Sequence, residues 1–526
     1  MNTKEFSRPV AQYALMAVLV AAACFYAFFI LRTAFKIKGE TFFTLLDDAM
    51  VSMRYAKHLA QGYGLVWNIG EKPIEGFTNP GWMLFMAFLH LFPIPVSKIS
   101  LVVMVVSAIV LLANSLVVYQ ICKILQPGYS KYASLLAMTV TAFYFPLVFW
   151  TLRGMEVGLQ TLLIDLALLL IIQSSKDQAM GRAILISLMF LLAILGRIDA
   201  VLQVVILAIY LAVRNKFDVR VIALPFATIV ITTLAIFWFQ HTYFGDYLPN
   251  TYYQKVTGFS VWERVRNGLL AFNQHATRDT LFLIVFSLLG LLLYKDVQNR
   301  EVLLMAGLFA VQCAYSVFVG GDYAEVEVGA ANRFITQGMP ALIILFSIVA
   351  DRVITDLIMS RRPGILSRPL TQSVIAVGVG FGVLFVISGT VWMNWGISNA
   401  PLWKADVRRV KLGLAIAEYT SPDVTIAVHA AGQIPYYSER RTIDLLGLND
   451  AVIAKGPPAS PFYPGHDKWN YNYSILQLKP DLIVDNFQPL AGFMRNVKEY
   501  QKLESGIYIR KDSTLINVDG LSQEYR

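Results

Sequence analysis

Two adjacent carboxylates, Asp47 and Asp48, have the residue types and spacing that acid–base chemistry needs. They follow the first long apolar run, so they are expected beside a lipid surface, where acidic side chains are costly unless solvated, paired or used. A carboxylate within hydrogen-bond reach of a hydroxyl can take its proton as the oxygen attacks, and a second can orient the substrate or hold a cation. Helix capping is the structural alternative, but one aspartate is enough for a cap.

Opposite charges also lie together in two later connectors between apolar runs. Arg153 and Glu156 share one connector, and Arg197 and Asp199 share the other. Pairing of such charges at the membrane interface is as good an explanation as a functional role. An arginine at this position can instead bind a phosphate group through two parallel hydrogen bonds.

A longer connector, residues 243–255, carries polar residues that suit a sugar and a phosphate. It interleaves tyrosines with Asp246 and ends at Lys255, which is the sharper candidate for a phosphate contact. The tyrosines alone decide little, because aromatic belts at membrane interfaces are also rich in tyrosine.

Two further candidates lie towards the C-terminus. A pair of glycines precedes Asp322, and Arg333 follows eleven residues later. Paired glycines let the backbone approach a ligand closely, or simply make a turn. His466 lies near the end of the chain, where a lone histidine without metal-ligand spacing is more often structural than catalytic.

The composition is that of a polytopic membrane protein. Of the 526 residues, 56% are hydrophobic and only 15% are charged, whereas soluble domains carry roughly 25% charged residues. Much of the basic charge lies in short connectors between apolar runs, where the positive-inside rule places it, so the net charge of +9 does not indicate nucleic-acid binding. The cysteines, at positions 24, 122 and 313, have unrelated spacings and predict neither a disulfide framework nor a zinc site.

The apolar runs and basic connectors together predict about eleven membrane spans. Lys4 and Arg8 precede the first, Tyr13–Leu31, which lacks a small-residue cleavage site and is expected to be an anchor with a cytoplasmic N-terminus. If the short run Gly81–Pro93 does not cross, the basic connectors fall on the cytoplasmic side and all candidate residues on the outer side. The other predicted spans are Ser100–Ile121, Ala133–Trp150, Val157–Ile172, Ile184–Leu195, Val201–Val213, Val219–Phe239, Leu281–Tyr294, Val302–Val319, Ala341–Ile354 and Val374–Trp392.

The first outer loop, residues 32–97, is predicted to hold two short helices. Asp47–Gln61 has helical spacing and ends before Gly62; its apolar stripe fits a helix lying in the membrane interface, or an ordinary surface helix. Gly81–Pro93 is interpreted as a second interfacial or re-entrant helix.

Beyond residue 396 the composition changes to that of a small α/β domain outside the membrane, over residues 397–526. Residues 1–396 are expected to form the transmembrane domain. The predicted strands are Val424–Val428, Thr442–Leu446 and Asp481–Val484, and the predicted helices are Lys404–Tyr419 and Leu490–Tyr500.

These motifs resemble the GT-C membrane glycosyltransferases. The closer resemblance is to bacterial arabinofuranosyltransferases that use decaprenyl-phosphate arabinose, of the terminal β-(1→2) type. The motifs of the first loop are Leu46–Ala49, Arg54–Ala56, Gly62–Asn68 and Glu75–Pro80. Weaker matches are Gly154–Glu156, Arg197–Asp199, Gly245–Lys255, Gly320–Asp322, Gly432–Tyr437, Asp444–Asp450 and Gly465–Lys468.

The resemblance implies a GT-C-like polytopic α-helical membrane protein with a small extracytoplasmic α/β C-terminal domain. The catalytic base would be Asp47 or Asp48, with Asp47 slightly preferred by analogy. The adjacent carboxylates permit a divalent cation, Mg²⁺ or Mn²⁺, without requiring one, and no metal ligand is assigned. The residues expected to bind the donor phosphate or the substrate are Arg54, Glu156, Arg197, Asp199, Asp246, Lys255, Asp322, Arg333 and His466.

The expected function is inverting transfer of a sugar, such as arabinofuranose or another pentose, from a polyprenyl-phosphate donor. The acceptor would be a hydroxyl of a cell-envelope glycan, glycolipid or surface protein at the outer face of a bacterial cytoplasmic membrane. The expected partners are this donor, the acceptor and membrane lipid, without nucleic acid. A hexose donor, a lipid-linked sugar flippase or transporter, and a non-catalytic assembly subunit are the alternatives, although transporters usually show repeats and charges within broken helices.

Overall fold

The computed structural model describes residues 3–125, 132–173, 179–322, 332–356, 369–397, 403–484 and 487–524. Up to residue 397 it consists mainly of apolar helices, and after residue 403 it forms a mixed α/β region. The helices of the first part are α1 (Thr3–Thr33), α2 (Asp47–Ala60), α3 (Pro80–His90), α4 (Val96–Leu125), α5 (Tyr132–Phe143), α6 (Phe145–Leu152), α7 (Val157–Ile172), α8 (Ala179–Gly196), α9 (Val201–Arg214), α10 (Val219–Phe239), α11 (Asn250–Val256), α12 (Val261–Ala271), α13 (Thr277–Leu293), α14 (Arg300–Val319), α15 (Arg333–Thr336), α16 (Met339–Ile354) and α17 (Pro369–Ile397).

Within the described ranges, five helices are long and apolar enough to cross a membrane, and a sixth is added if the bent pair α5–α6 is one span. The five segments are Gln12–Thr33, Val96–Leu125, Val219–Phe244, Arg300–Val319 and Leu370–Gly389. The shorter apolar helices are Val157–Ile172, Met180–Gly196 and Thr280–Leu293. Every predicted span lies on a helix or on the bent pair, so a helical membrane protein is confirmed, while the total of about eleven spans stays a prediction.

The bend between α5 and α6 has a local cause in the sequence. The two helices meet at 47° around Tyr144, two residues before Pro146. Proline lacks the amide hydrogen that would continue the backbone hydrogen bonds of the preceding helix. Tyr144 has an extended backbone, with φ −67° and ψ 112°. The predicted span Ala133–Trp150 therefore consists of two helices.

Polar and small residues bring neighbouring apolar helices close together. Asn114 of α4 donates a hydrogen bond of 2.6 Å to the Thr161 hydroxyl of α7. Gly290 of α13 leaves room for Val349 of α16, with which a Cβ at that position would clash. Small interfacial residues and side-chain hydrogen bonds of this kind hold helices together where lipid provides no hydrophobic driving force.

The first loop begins with a hairpin that the sequence analysis missed. Strands β1 (Phe35–Ile37) and β2 (Glu40–Phe42) pair antiparallel across a turn at Lys38 and Gly39, both with positive φ. Helices α2 and α3 follow, as predicted. However, the residues of α2 from Ala49 to Ala56 are all buried, so its apolar stripe packs against protein and the interpretation as an interfacial helix is wrong.

The C-terminal region, residues 403–524, is built around a five-stranded sheet of order β4-β3-β5-β7-β6. The first three of these strands are parallel, and β7 is antiparallel to both of its neighbours. The elements are α18 (Trp403–Tyr419), β3 (Thr425–Val428), α19 (Gln433–Ser438), β4 (Arg441–Asp444), α20 (Ala451–Ala454), β5 (Leu482–Ile483), α21 (Gln488–Met494), β6 (Tyr500–Lys502), β7 (Tyr508–Arg510) and α22 (Val518–Glu524).

The three parallel strands and α18 were predicted, whereas the β6–β7 hairpin was not. The predicted helix Leu490–Tyr500 is too long, because α21 ends at Met494 and Tyr500 already begins β6. The strands β6 and β7 are joined by a turn that contains Gly506, which has a positive φ of 88°. Three-residue strands are too short to show the alternation that identifies a strand in a sequence.

Candidate active site

Asp47 and Asp48 open helix α2, but their carboxylates have different partners. Asp47 accepts hydrogen bonds from the backbone N–H groups of Gly432 at 3.1 Å and Gln433 at 2.8 Å. A Cβ at position 432 would clash with the carbonyl oxygen of Asp47, so only glycine allows this approach. Burial raises the pKa of Asp47. Asp47 thus joins α2 to the C-terminal region.

Asp48 instead faces a cluster of positive side chains. Its Oδ2 lies 3.1 Å from Nη1 of Arg333, and its side chain is 39% exposed. Burial alone would raise the pKa of Asp48, but the charges of Arg333, Lys255 and His466 lower it below its usual value. Asp48 is therefore an accessible, ionised carboxylate at neutral pH.

Arg333 is held from the other side by Asp322. Its Nε lies 3.2 Å from Oδ2 of Asp322, to which its backbone N–H also donates a hydrogen bond of 3.4 Å. The preceding residue, Asn332, caps α15 by accepting hydrogen bonds from the N–H groups of Phe334 and Ile335. Cap and ion pair together fix the guanidinium beside Asp48.

A second ion cluster surrounds Arg197 at the end of α8. Its guanidinium lies 2.6 Å from Glu156 and 2.8 Å from Asp199. The other oxygen of Glu156 accepts a hydrogen bond of 2.8 Å from Asn79, whose own side-chain oxygen accepts one of 2.9 Å from Ser52 of α2. Helix α2 is thereby connected to Arg197.

The two ion clusters meet at Phe334. The guanidinium carbons of Arg197 and Arg333 both lie 5.4 Å from the centre of its ring. An aromatic ring attracts a cation placed over its face. Phe334 therefore holds two arginines of like charge near each other, and the sequence analysis did not identify it.

Lys255 of α11 adds a third positive charge to this region. In the part of the chain that the structure describes, its ammonium group makes no hydrogen bond or ion pair. Burial, followed by the repulsion of Arg333, lowers its pKa to about 8. The side chain packs against Gly465, next to His466, whose Nδ1 lies 3.1 Å from the carbonyl oxygen of Pro464.

A buried acid in the first loop, Glu75, positions the helix that carries Lys255. Its carboxylate accepts a hydrogen bond of 2.9 Å from Gln240, and its backbone oxygen accepts one of 2.9 Å from the N–H of Asn250. Burial raises the pKa of Glu75 to about 8. With this pKa, Glu75 changes its charge near physiological pH. It was not among the site residues predicted from the sequence.

The structure brings most of the predicted site residues together, whereas Asp47, Arg54 and Asp246 have other partners. Glu156, Arg197, Asp199, Lys255, Asp322, Arg333 and His466 lie around Asp48. Asp246 is instead paired with Lys455 and accepts a hydrogen bond of 2.5 Å from Tyr253.

Arg54 also lies outside this cluster, in the contact between α2 and the C-terminal region. Its guanidinium donates to the backbone oxygens of Trp67, Pro435 and Arg440, and to the side chain of Asn68. Its planar fork is thus filled by protein acceptors. This arrangement supports a structural role for Arg54, in place of the phosphate contact expected from the sequence.

A divalent cation does not fit the acidic residues found here. Among the described residues, no group of three or more His, Cys, Asp or Glu side chains could hold a metal ion. Asp47 and Asp48 do not share a site, because Asp47 binds backbone N–H groups and Asp48 pairs with Arg333.

Comparisons with known proteins identify the fold. The family described as "Domain of unknown function (DUF8728)" matches residues 400–522. Curated protein sequences yield no match. Solved structures similar to the chain include ArnT from Cupriavidus metallidurans in the apo state, with a TM-score of 0.52 and 11% identity over 82% of this chain and 86% of that one.

The same ArnT bound to undecaprenyl phosphate gives a TM-score of 0.51 at 12% identity, over 82% of this chain and 85% of that one. The Archaeoglobus fulgidus oligosaccharyltransferase in the apo form gives 0.55 at 11% identity, over 82% of this chain and 64% of that one. At such identities the likeness shows the fold alone. The chain shares the helical fold of these two solved proteins over 82% of its length.

Proposed function

We propose that the protein is a membrane glycosyltransferase that moves a sugar from a polyprenyl-phosphate donor to a hydroxyl group. The observation that carries this proposal is the accessible, ionised Asp48 beside Arg333 and the ammonium of Lys255, which has no direct partner among the described residues. An anion and a set of cations side by side suit a reaction that removes a proton and releases a phosphate. Two similar structures support a lipid-phosphate donor, since ArnT was solved with undecaprenyl phosphate and the archaeal oligosaccharyltransferase AglB with a dolichol-phosphate.

In the proposed reaction, Asp48 takes the proton of the acceptor hydroxyl as its oxygen attacks the anomeric carbon. The bond from that carbon to the phosphate oxygen breaks, and the electron pair leaves with the polyprenyl phosphate. A single displacement of this kind inverts the anomeric centre. Lys255, Arg333 and Arg197 stabilise the negative charge that accumulates on the leaving phosphate.

Asp48 is preferred to Asp47 as the base, which changes the preference taken from the resemblance. Both oxygens of Asp47 already accept backbone hydrogen bonds, and its burial opposes ionisation. Among the described residues, Asp48 has Arg333 as its one direct partner. When the donor phosphate engages Arg333, Asp48 loses part of that counter-charge, its pKa rises, and it becomes a stronger base.

The remaining charged residues orient these groups. Glu156 and Asp199 hold Arg197, and Asp322 holds Arg333, so that the arginines approach the phosphate in fixed directions. We infer a pentose donor, such as arabinofuranose, from the first-loop motifs, with a hexose as the alternative. The proposed acceptor is an envelope glycan, glycolipid or surface protein at the outer face of a bacterial cytoplasmic membrane.

The test is an in vitro transfer assay with purified protein and synthetic polyprenyl-phosphate pentoses and hexoses. We expect Asp48→Asn to lower the rate by about 10²–10⁴-fold, the range typical of a lost general base. Asp246→Asn is the matched control, because it removes an aspartate outside the cluster and should retain activity. Wild-type rates in Asp48→Asn, with product release measured directly, would contradict the mechanism.

A further inference from the structure

The order of strands in the C-terminal sheet creates a crevice at one edge. From β3 the chain runs through α19 to β4 on one side, and it then returns to β5 on the other side of β3. The connections that leave the carboxyl ends of β3 and β5 therefore run in opposite directions. In open α/β sheets, ligands bind outside the carboxyl ends of the strands at such a switch point.

A cavity of about 160 Å³ lies at this place. Ala430, two residues beyond β3, and Val484, the residue after β5, form part of its wall. Arg408 and Arg409 of α18 line it as well, together with Ala405 from the preceding turn. The small alanine side chains leave the space open, and the arginines supply its only charged lining groups among the described residues.

The charges around the cavity favour an anion. Arg409 lies near enough to Asp47 and Asp406 to stabilise their ionised forms. Asp406, however, already forms an ion pair of 2.6 Å with Arg153. Among the described residues named here, three arginines, Arg153, Arg408 and Arg409, outnumber the two carboxylates. Arg408 is exposed to solvent.

The start of α18 lies beside the end of the first apolar helix. The indole N–H of Trp403 donates a hydrogen bond of 3.3 Å to the carbonyl oxygen of Ala34, the residue after α1. Arg408 follows five positions later, about 7–8 Å further along the helix axis. The arginines are therefore within reach of a phosphate at the membrane surface as well as of one in solution.

We propose that this cavity, bounded by Ala430, Arg408 and Arg409, is a second anion site that binds a phosphate group. The phosphate belongs either to a lipid headgroup or to a soluble phosphorylated molecule, and the same guanidinium chemistry recognises both. None of the residues that line the cavity belongs to the cluster around Asp48. Arg409 connects the two, because its charge acts on Asp47 at the start of α2.

The proposal is tested by direct binding to the purified full-length protein. Inorganic phosphate and glycerol 3-phosphate, titrated in detergent by calorimetry, probe soluble sources. Nanodiscs of phosphatidylglycerol compared with phosphatidylcholine, read by native mass spectrometry, probe the lipid source. Binding of either kind identifies the source, whereas no binding of any probe at millimolar concentration would refute the site.

Two variants test separately whether binding depends on the charge of Arg408 and on the volume of the cavity. Arg408→Gln removes an exposed charge without touching the core and should weaken binding about tenfold, the worth of one charge-assisted contact. Ala430→Leu fills the cavity, keeps every charge, and should abolish binding. Lys411→Gln, an exposed position of the same helix outside the cavity, is the control and should bind like the wild type. If folded Arg408→Gln and Ala430→Leu variants both bound the probe with wild-type affinity, the proposal would be overturned.

Discussion

Asp48 and Arg333 form an ion pair across 285 positions of the chain, with 3.1 Å between Oδ2 and Nη1. Arg333 is buried and held in place by Asp322, whereas the side chain of Asp48 is partly exposed to solvent. An incoming anion can therefore replace Asp48 at Arg333 without moving the arginine. This relationship underlies the proposed coupling between donor binding and the basicity of Asp48.

The low pKa of Lys255 predicts an alkaline limit to donor binding. Its pKa is about 8, so its charge is present below that pH and is lost as the pH rises through it. We expect kcat/KM for the donor to fall above about pH 8. Lys255→Arg should move this limit upwards, because arginine stays charged throughout this range. An unchanged alkaline limb in Lys255→Arg, measured in the transfer assay, would show that Lys255 does not titrate there.

Replacing Phe334 should weaken donor binding through the two arginines on its ring. Each cation–aromatic contact is worth about 0.5–1 kcal/mol, so Phe334→Leu should raise the donor KM about tenfold with little change in kcat. Phe334→Tyr keeps the aromatic face and serves as the control. If both variants show the wild-type KM, the ring is only a packing residue.

The buried pair Arg153–Asp406 should contribute strongly to the contact between the helical part and the C-terminal region. Its members are 1% and 2% exposed, and Gln433 donates to the second oxygen of Asp406 at 2.7 Å. Arg153→Met leaves a buried carboxylate unpaired and should cost about 3–5 kcal/mol of stability.

The double variant Arg153→Met/Asp406→Leu should recover much of that loss in thermal unfolding, because no unpaired charge remains. Lys38→Met is the control, since its pair with Glu418 is exposed and worth at most about 1 kcal/mol. A single variant as stable as the wild type would contradict this account.

Glu75 should make stability fall with rising pH. Burial raises its pKa from 4.5 to about 8 in the folded chain, so the folded state keeps a proton that the unfolded state loses in this window. Stability is then fully present below about pH 4.5 and declines as the pH rises to about 8. Glu75→Gln removes the titration and should flatten the pH dependence of the unfolding temperature.

The matched control for this measurement is Glu71→Gln, which removes an exposed partner of Arg441 in the same loop. It should leave the slope between pH 5 and 8 unchanged. Equal slopes in Glu75→Gln and wild type would show that Glu75 is ionised in the folded protein.

Much of the fold could be predicted because it depends on local physics. Every predicted span lies on a helix or on the bent pair α5–α6, since a long apolar run must satisfy its own backbone hydrogen bonds in lipid. The strands β3, β4 and β5 could also be predicted from a local pattern, because they are short apolar runs between turns. The hairpins β1–β2 and β6–β7 were not predicted, because three residues are too few to show the apolar–polar alternation of a strand. These strands are stabilised by pairing with each other.

The sequence by itself determined that a carboxylate pair opens a helix in the first loop of a helical membrane protein, because composition and periodicity are local properties. Only the tertiary structure decided which aspartate faces the cations. Consecutive residues of a helix point about 100° apart, so Asp47 and Asp48 must face different neighbours. Those neighbours, Gly432 and Gln433 for one and Arg333 for the other, come from segments hundreds of positions away, and packing of the whole chain brings them there.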